Sequence, residues 1–329
     1  MLIIDTDPGV DDAFALAVAL SRREEVAAIS CTFGNASVLN THRNARVLTS
    51  LFGAANDVEV FSGASRPFGT AAAPGDASHV HGHDGFSGLG RTSSGVLLGR
   101  PPNTTGAIDA LRHVLETSTE PVDLVALGPL TNCAALLREA LPTVRSKLRR
   151  VVVLGGAIER GNVTPYAEFN FWCDPHSADF VLRQAEVPVL LVPIDLTLAV
   201  AGFTQQFLER LRAVGEAGAF LEQLALPLLQ HYRRSIDRDV VVLHDIVATL
   251  EALNPGSVRT RPVCARVRAD PGPEQGQLRL RAPSTSDGEP GGDSTIEIAE
   301  SLSPEVDLET ILTRSVEIVS KFRSTTSSC

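Results

Sequence analysis

Short runs of apolar, β-branched residues recur along this chain, separated by stretches with apolar residues at helical spacing. The runs are Leu2–Thr6, Val26–Phe33, Val58–Ser62, Val122–Leu127, Arg150–Gly155 and Val187–Pro193. Between them, Asp12–Ser21, Leu39–Phe52, Thr104–Glu116, Thr131–Ala140 and Pro175–Gln184 read as amphipathic helices. Alternation of this kind specifies βαβ units and a parallel sheet. Val151-Val152-Val153-Leu154 is apolar without a break, the pattern of a strand covered on both faces. The expected fold class is therefore α/β: a Rossmann-like, open, mostly parallel sheet flanked by helices, in a single domain over residues 1–329.

The later part of the chain has a different texture. From about Phe203 to Leu250 it reads as helical. Asp270–Asp293 is rich in Pro, Gly, Ser and Glu and reads as a flexible surface insertion. Thr295–Ile298 is expected to return as a strand, Glu305–Phe322 to close the fold as a helix, and Arg323–Cys329 to fray.

Charge and cysteine usage exclude several function classes. The formal net charge is −10 with no basic run, which argues against nucleic acid or an anionic membrane surface as partner. No apolar stretch approaches the roughly 20 residues of a membrane span. The five cysteines are odd in number and lack CxxC pairing, as expected of free thiols in a reducing compartment. A strand starting at residue 2 leaves no room for a signal peptide, so a cytoplasmic location is expected.

In open α/β sheets, ligands sit beyond the carboxyl ends of the strands. Polar motifs gather there. Asp5-Thr6-Asp7-Pro8-Gly9-Val10-Asp11-Asp12 follows the first strand, Gly34-Asn35 the second, Gly128-Pro129-Leu130-Thr131-Asn132 the fourth, Gly155-Gly156 the fifth and Asp195 the sixth. Four carboxylates within eight positions repel one another, and a fold that pins them together calls for a cation. Oxygen ligands suit Ca²⁺ or Mg²⁺ rather than Zn²⁺. A single Asp here would merely cap a helix. Asp7 and Asp12 are the natural ligands of the cluster, while Asp5, on the strand itself, has an equal claim to a structural role.

Three further segments carry weaker signals. His244-Asp245 offers a remote carboxylate, although such a pair is also an ordinary cap. Asn162, Glu168 and Asn170 suit a polyhydroxylated ligand, and equally a loop that ties itself down. His79-Val80-His81 has metal-sharing spacing, but no Cys joins it, and the neighbouring Gly82, Asp84 and Gly85 read as a loop.

Together these motifs resemble the inosine–uridine-preferring nucleoside hydrolase family. The resemblance rests on the Asp5 to Asp12 segment, Thr32-Phe33-Gly34-Asn35, His81-Gly82-His83-Asp84-Gly85, Leu127 to Asn132, Glu168-Phe169-Asn170 and His244-Asp245. It covers residue 2 to about 253. It implies Ca²⁺-dependent cleavage of ribonucleosides to ribose and free base, and a homodimer or homotetramer. Asp7, Asp12, Asp245 and the Leu127 carbonyl are implied as Ca²⁺ ligands, with Asp7 also the general base. Many relatives carry Thr in place of Leu127, a difference of no consequence to a carbonyl ligand. Asp11, Asn35, Asn162, Glu168 and Asn170 are implied to hold the ribose. His244 is implied to protonate the departing base, with His81 and Tyr232 in the base pocket. Two rivals stand beside this reading. Asp5-Thr6-Asp7 also matches the Asp-x-Asp of a haloacid-dehalogenase-type phosphohydrolase, though Gly9 departs from that pattern. A non-catalytic nucleoside- or ribose-binding protein would use the same fold.

Overall fold

A computed structural model describes residues 1–68, 77–89, 106–235, 237–283 and 294–326. Thr104 and Thr105 of the expected third helix, residues 284–293 of the expected insertion and residues 327–329 of the tail lie outside them. Six expected strands form: β1 (Leu2–Thr6), β2 (Val26–Cys31), β3 (Val60–Ser62), β4 (Val122–Ala126), β5 (Leu148–Leu154) and β6 (Val189–Val192). They pair in parallel in the order β6-β5-β4-β1-β2-β3. Strand order reverses at β1, with β2 and β3 on one side and β4, β5 and β6 on the other. The crevice beyond β1 and β4 is thus the topological switch point, where ligands bind in such sheets.

Alternate side chains feed two apolar layers. Ile4, Ile29, Val125 and Val152 face helix α1 (Val10–Leu20) and the helices Asp245–Leu253 and Leu308–Thr326. Ile3, Ala28, Leu124 and Val151 face the helices Ala107–Thr117, Thr131–Glu139 and Pro175–Gln184. Every residue of α1 is buried, so it is a core helix rather than an amphipathic surface one.

The C-terminal third departs most from expectation. Within Phe203–Leu250, β7 (Gly202–Thr204) and β8 (Val240–Val242) form a small antiparallel ribbon. β9 (Val258–Val267) and β11 (Thr295–Leu302) join the main sheet, β11 parallel to β6 and β9 antiparallel to β11. The expected loop from Asp270 contains β10 (Leu278–Arg281), paired antiparallel with β9. Its turn-rich composition conceals an alternation in which Leu278 enters the core and Arg279 and Arg281 are exposed. The closing helix runs through Arg323 to Thr326, where fraying was expected. No helix among the described residues is long and apolar enough to cross a membrane.

Candidate active site

The four N-terminal carboxylates occupy the switch point and are held differently. Asp5 Oδ1 accepts from Ser30 Oγ (2.6 Å) and Asn132 Nδ2 (2.8 Å), which ties β1 to β2 and to the helix after β4. Asp7 Oδ2 accepts the Asn35 amide at 2.7 Å. Gly34 and Gly128 pack against this carboxylate so closely that a Cβ at either would overlap it. Asp12 accepts from Thr6 Oγ1, from the Gly9 amide at 2.9 Å and from Asn35 Nδ2 at 3.1 Å. Asp11 lines the cavity, and its Oδ1 is buried without a partner.

Asp245, at the start of its helix, comes in from the far end of the chain. Oxygens of Asp11, Asp12 and Asp245 lie within 4.8 Å of one another. Burial pushes the carboxyls of Asp5 and Asp11 up to about 6. Burial, then neighbouring negative charge, raises Asp7, Asp12 and Asp245. Crowded buried carboxylates and an orphaned Asp11 oxygen form an all-oxygen site that fits a hard divalent cation. Among the described residues this is the one group of three or more His, Cys, Asp or Glu placed to share a metal.

A cavity of about 710 Å³ opens above this floor. Asp11, Asn35, His81, Leu127, Asn162, Glu168, Asn170, Tyr232, His244 and Asp245 line it. Asp7 and Asp12 lie beneath, 1% and 0% exposed. Ten of the twelve expected site residues therefore meet in one cavity and the other two underlie it.

One wall comes from the 161–170 segment. Glu168 caps the short helix Phe169–Cys173, taking the amides of Gly156 (2.8 Å), Asn170 (2.8 Å) and Phe171 (3.2 Å). Burial pushes its carboxyl up to about 7. Asn170 Nδ2 donates to the carbonyls of Leu127 (2.7 Å) and Leu154 (3.3 Å), which leaves its Oδ1 for a ligand. Asn162 Oδ1 accepts the Phe169 amide at 2.9 Å, leaving its Nδ2. The loop does tie itself down, and it presents its spare polar atoms to the cavity while doing so.

At the opposite wall, Thr197 Oγ1 donates to the Ile194 carbonyl (3.1 Å) and lies 2.6 Å from His244 Nδ1. This leaves His244 Nε2 to accept from the Tyr232 hydroxyl at 3.1 Å. Burial, then the neighbouring His81, lowers the His244 imidazole to about 4, while burial raises the Tyr232 phenol. His81 Nδ1 accepts the Val10 amide at 3.2 Å. The Asp84 backbone of the same His-Gly-His-Asp-Gly motif is tied to the Asp loop through Asn44. Asn44 Nδ2 bridges the carbonyls of Pro8 (3.0 Å) and Asp84 (2.7 Å).

A family model described as inosine-uridine preferring nucleoside hydrolase matches residues 2–307. The chain belongs to that family. It is accordingly an enzyme, an N-glycosyl hydrolase of ribonucleosides, and the phosphohydrolase reading of Asp5-Thr6-Asp7 falls. A non-specific ribonucleoside hydrolase (RihC) of Salmonella agona is 38% identical over 255 residues, 77% of this chain and 78% of the relative. The Escherichia coli protein of that name is 35% identical over 262 residues, covering 79% and 81%. A plant nucleoside hydrolase structure superposes with TM-score 0.84 at 30% identity, covering 97% of this chain and 98% of the other. A purine-preferring ribonucleoside hydrolase from Gardnerella vaginalis gives 0.82 at 27%, covering 98% and 99%.

This nucleoside hydrolase cavity also holds residues to which the sequence assigned no individual role: Arg160 and Leu198, together with Val80, Leu228, His231 and Arg238 from the 79–90 and 228–242 segments expected to decide the base. Arg160 lies two positions before Asn162, a proximity visible in the sequence. His231 lies within the helix Glu216–Ser235 and Arg238 just before β8, and no spacing rule marked them.

Proposed function

We propose that this hydrolase uses Ca²⁺ and the cavity residues above to convert ribonucleoside and water to ribose and free base. The observation that carries the reading is the carboxylate floor, with its unpartnered Asp11 oxygen, beneath a wall that holds Glu168 and the uncommitted amide atoms of Asn162 and Asn170. Asp7, Asp12, Asp245 and the Leu127 carbonyl would hold the ion. Bound Ca²⁺ supplies charge neutralisation and a more acidic water. Asp7 takes a proton from the attacking water. Asp11, Asn35, Asn162, Glu168 and Asn170 hold the ribose hydroxyls as the ring gains oxocarbenium character. His244 delivers a proton to the departing base, beside His81 and Tyr232. Its imidazole is neutral in the empty cavity, so the proton it delivers is first taken up from solvent as substrate binds, and charge building on the leaving base then draws it across.

The test is sugar release from inosine, guanosine, uridine and cytidine by chelator-stripped protein reloaded with Ca²⁺ or Mg²⁺. Release that depends on Ca²⁺ is expected. Full activity of the stripped protein without added cation would overturn the metal reading, and equal rescue by Mg²⁺ would overturn the choice of ion. One catalytic domain over residues 1–329, assembly as a homodimer or homotetramer and a cytoplasmic location belong to the same reading. The family match over 2–307 supports the single domain. A monomer by light scattering would remove the assembly.

A further inference from the structure

The turn between β9 and β10 touches the ribose-facing wall from behind. Within the turn, the Arg268 amide donates to Gln277 O (3.0 Å) and the Gly276 amide to Arg268 O (2.8 Å). Arg268 and Arg279 both pair with Glu274, stapling the turn to its own strands. Gln277 forms an isolated antiparallel bridge with Ala167, the residue before Glu168. Gly276 has φ +83°, and a Cβ there would lie 2.7 Å from Trp172 Cα and 3.0 Å from Ala167 Cβ. Both neighbours belong to the Glu168 cap, because the Trp172 amide donates to the Glu168 carbonyl at 2.8 Å. The side chain of Leu278 packs against Gly156, whose amide Glu168 accepts. Three successive residues of the turn thus abut the backbone on both sides of Glu168. The Val267 amide anchors the hairpin by donating to Asp179 Oδ1 at 2.9 Å.

We infer that Gly276, with Gln277 and Leu278, is a positioning element that holds Glu168 and Asn170 at the height the ribose requires. The inference rests on the reading that Glu168 and Asn170 contact the ribose. Gly276 itself does not line the cavity. Any side chain at 276 is opposed by the positive φ and by the backbone of Trp172, so accommodation must part the turn from the Ala167–Trp172 segment it supports. A shift of about 1 Å in a positioning residue is enough to cost about a hundredfold in rate.

The experiment compares Gly276→Ala, Glu274→Gln and Glu168→Gln, measured in the Ca²⁺-loaded enzyme well below each variant's melting temperature. The substrates are inosine and its 2′-deoxy and 5′-deoxy analogues. Gly276→Ala is expected to lower kcat/KM for inosine at least about tenfold while narrowing the preference for inosine over the deoxy analogues. Glu274→Gln, which loosens the turn without adding a side chain beside Trp172, is expected to shift the same preference to a smaller degree. It keeps the test open if Gly276→Ala does not fold. Loss of activity only in proportion to unfolded protein, or an unchanged preference in both turn variants, would overturn the inference. An unchanged preference in Glu168→Gln would overturn the ribose reading instead, so the two failures are distinguishable.

Discussion

Asp5, Asp7, Asp11 and Asp12 come from one short stretch of chain yet meet four different surroundings, and their environments assign the labour. Asp5 commits its Oδ1 to Ser30 and Asn132, whereas Asp7 lies sealed between Gly34 and Gly128 at the foot of the cavity. Asp5→Asn keeps the accepting oxygen, so kcat should stay within about tenfold of the parent. Asp7→Asn should lose about 10²–10⁴-fold, the range of a lost general base. Steady-state kinetics on inosine decide it, and comparable losses in the two variants would dissolve the division. His244→Ala should impair natural nucleosides far more than an activated nitrophenyl riboside, whose leaving group needs no proton. An equal loss on both would remove the acid role. The sequence made the acidic floor legible because its residues are contiguous and too many for a cap. It left Glu168 evenly balanced between ligand and brace, and the structure shows its carboxylate bracing three amides at the cavity wall. Arg238 escaped notice because only the fold of the preceding segment brings it to the rim.

At the level of elements, parallel strands were readable because burial on both faces leaves them continuously apolar, as in Val151–Leu154. β7, β8, β9 and β10 were not: β7, β8 and β10 are brief pieces inside stretches that read as helical or turn-rich, and Arg259, Arg261 and Pro262 interrupt the apolar pattern of β9. The helix Asp245–Leu253 shows how one element serves both ends of the sheet. Its first residue faces the cavity, and Glu251 near its end is 2% exposed. Glu251 pairs with Arg150 at 2.7 Å and accepts the amides of Gly256 and Val258, each at 3.1 Å, where the chain enters β9. Arg150 also meets buried Asp123 at 3.1 Å. Removing Glu251 leaves Arg150 its Asp123 partner but strips the Gly256 and Val258 amides of their acceptor, and an unsatisfied buried group costs about 1–3 kcal/mol. Glu251→Ala should lower the urea midpoint accordingly, while kcat and KM of the folded enzyme stay near the parent values. A variant of parental stability with impaired kinetics would mean that this helix transmits something to Asp245 beyond its position.

For the whole molecule, the switch point concentrates negative charge in a chain that is already at −10. Asp5 and Asp11 are raised to about 6 in the fold, and Asp7, Asp12 and Asp245 are also raised. In an unfolded chain these groups titrate near ~3.9. A raised folded value means the native state binds protons more tightly than the unfolded state. The stability that Asp5 and Asp11 contribute is therefore complete below about pH 4 and is lost as pH climbs through about 6, and Asp7, Asp12 and Asp245 lose theirs in the same direction as pH rises. A cation bound by the cluster replaces those protons, so its stabilising effect must grow over the same window. Saturating CaCl₂ should raise Tm by about 5 °C or more at about pH 7.5, and by distinctly less at about pH 5, where protons compete for the same oxygens. Asp245→Ala should abolish most of the increment at the higher pH. An increment independent of pH, or one that survives in Asp245→Ala, would place the stabilising cation somewhere other than the carboxylate floor.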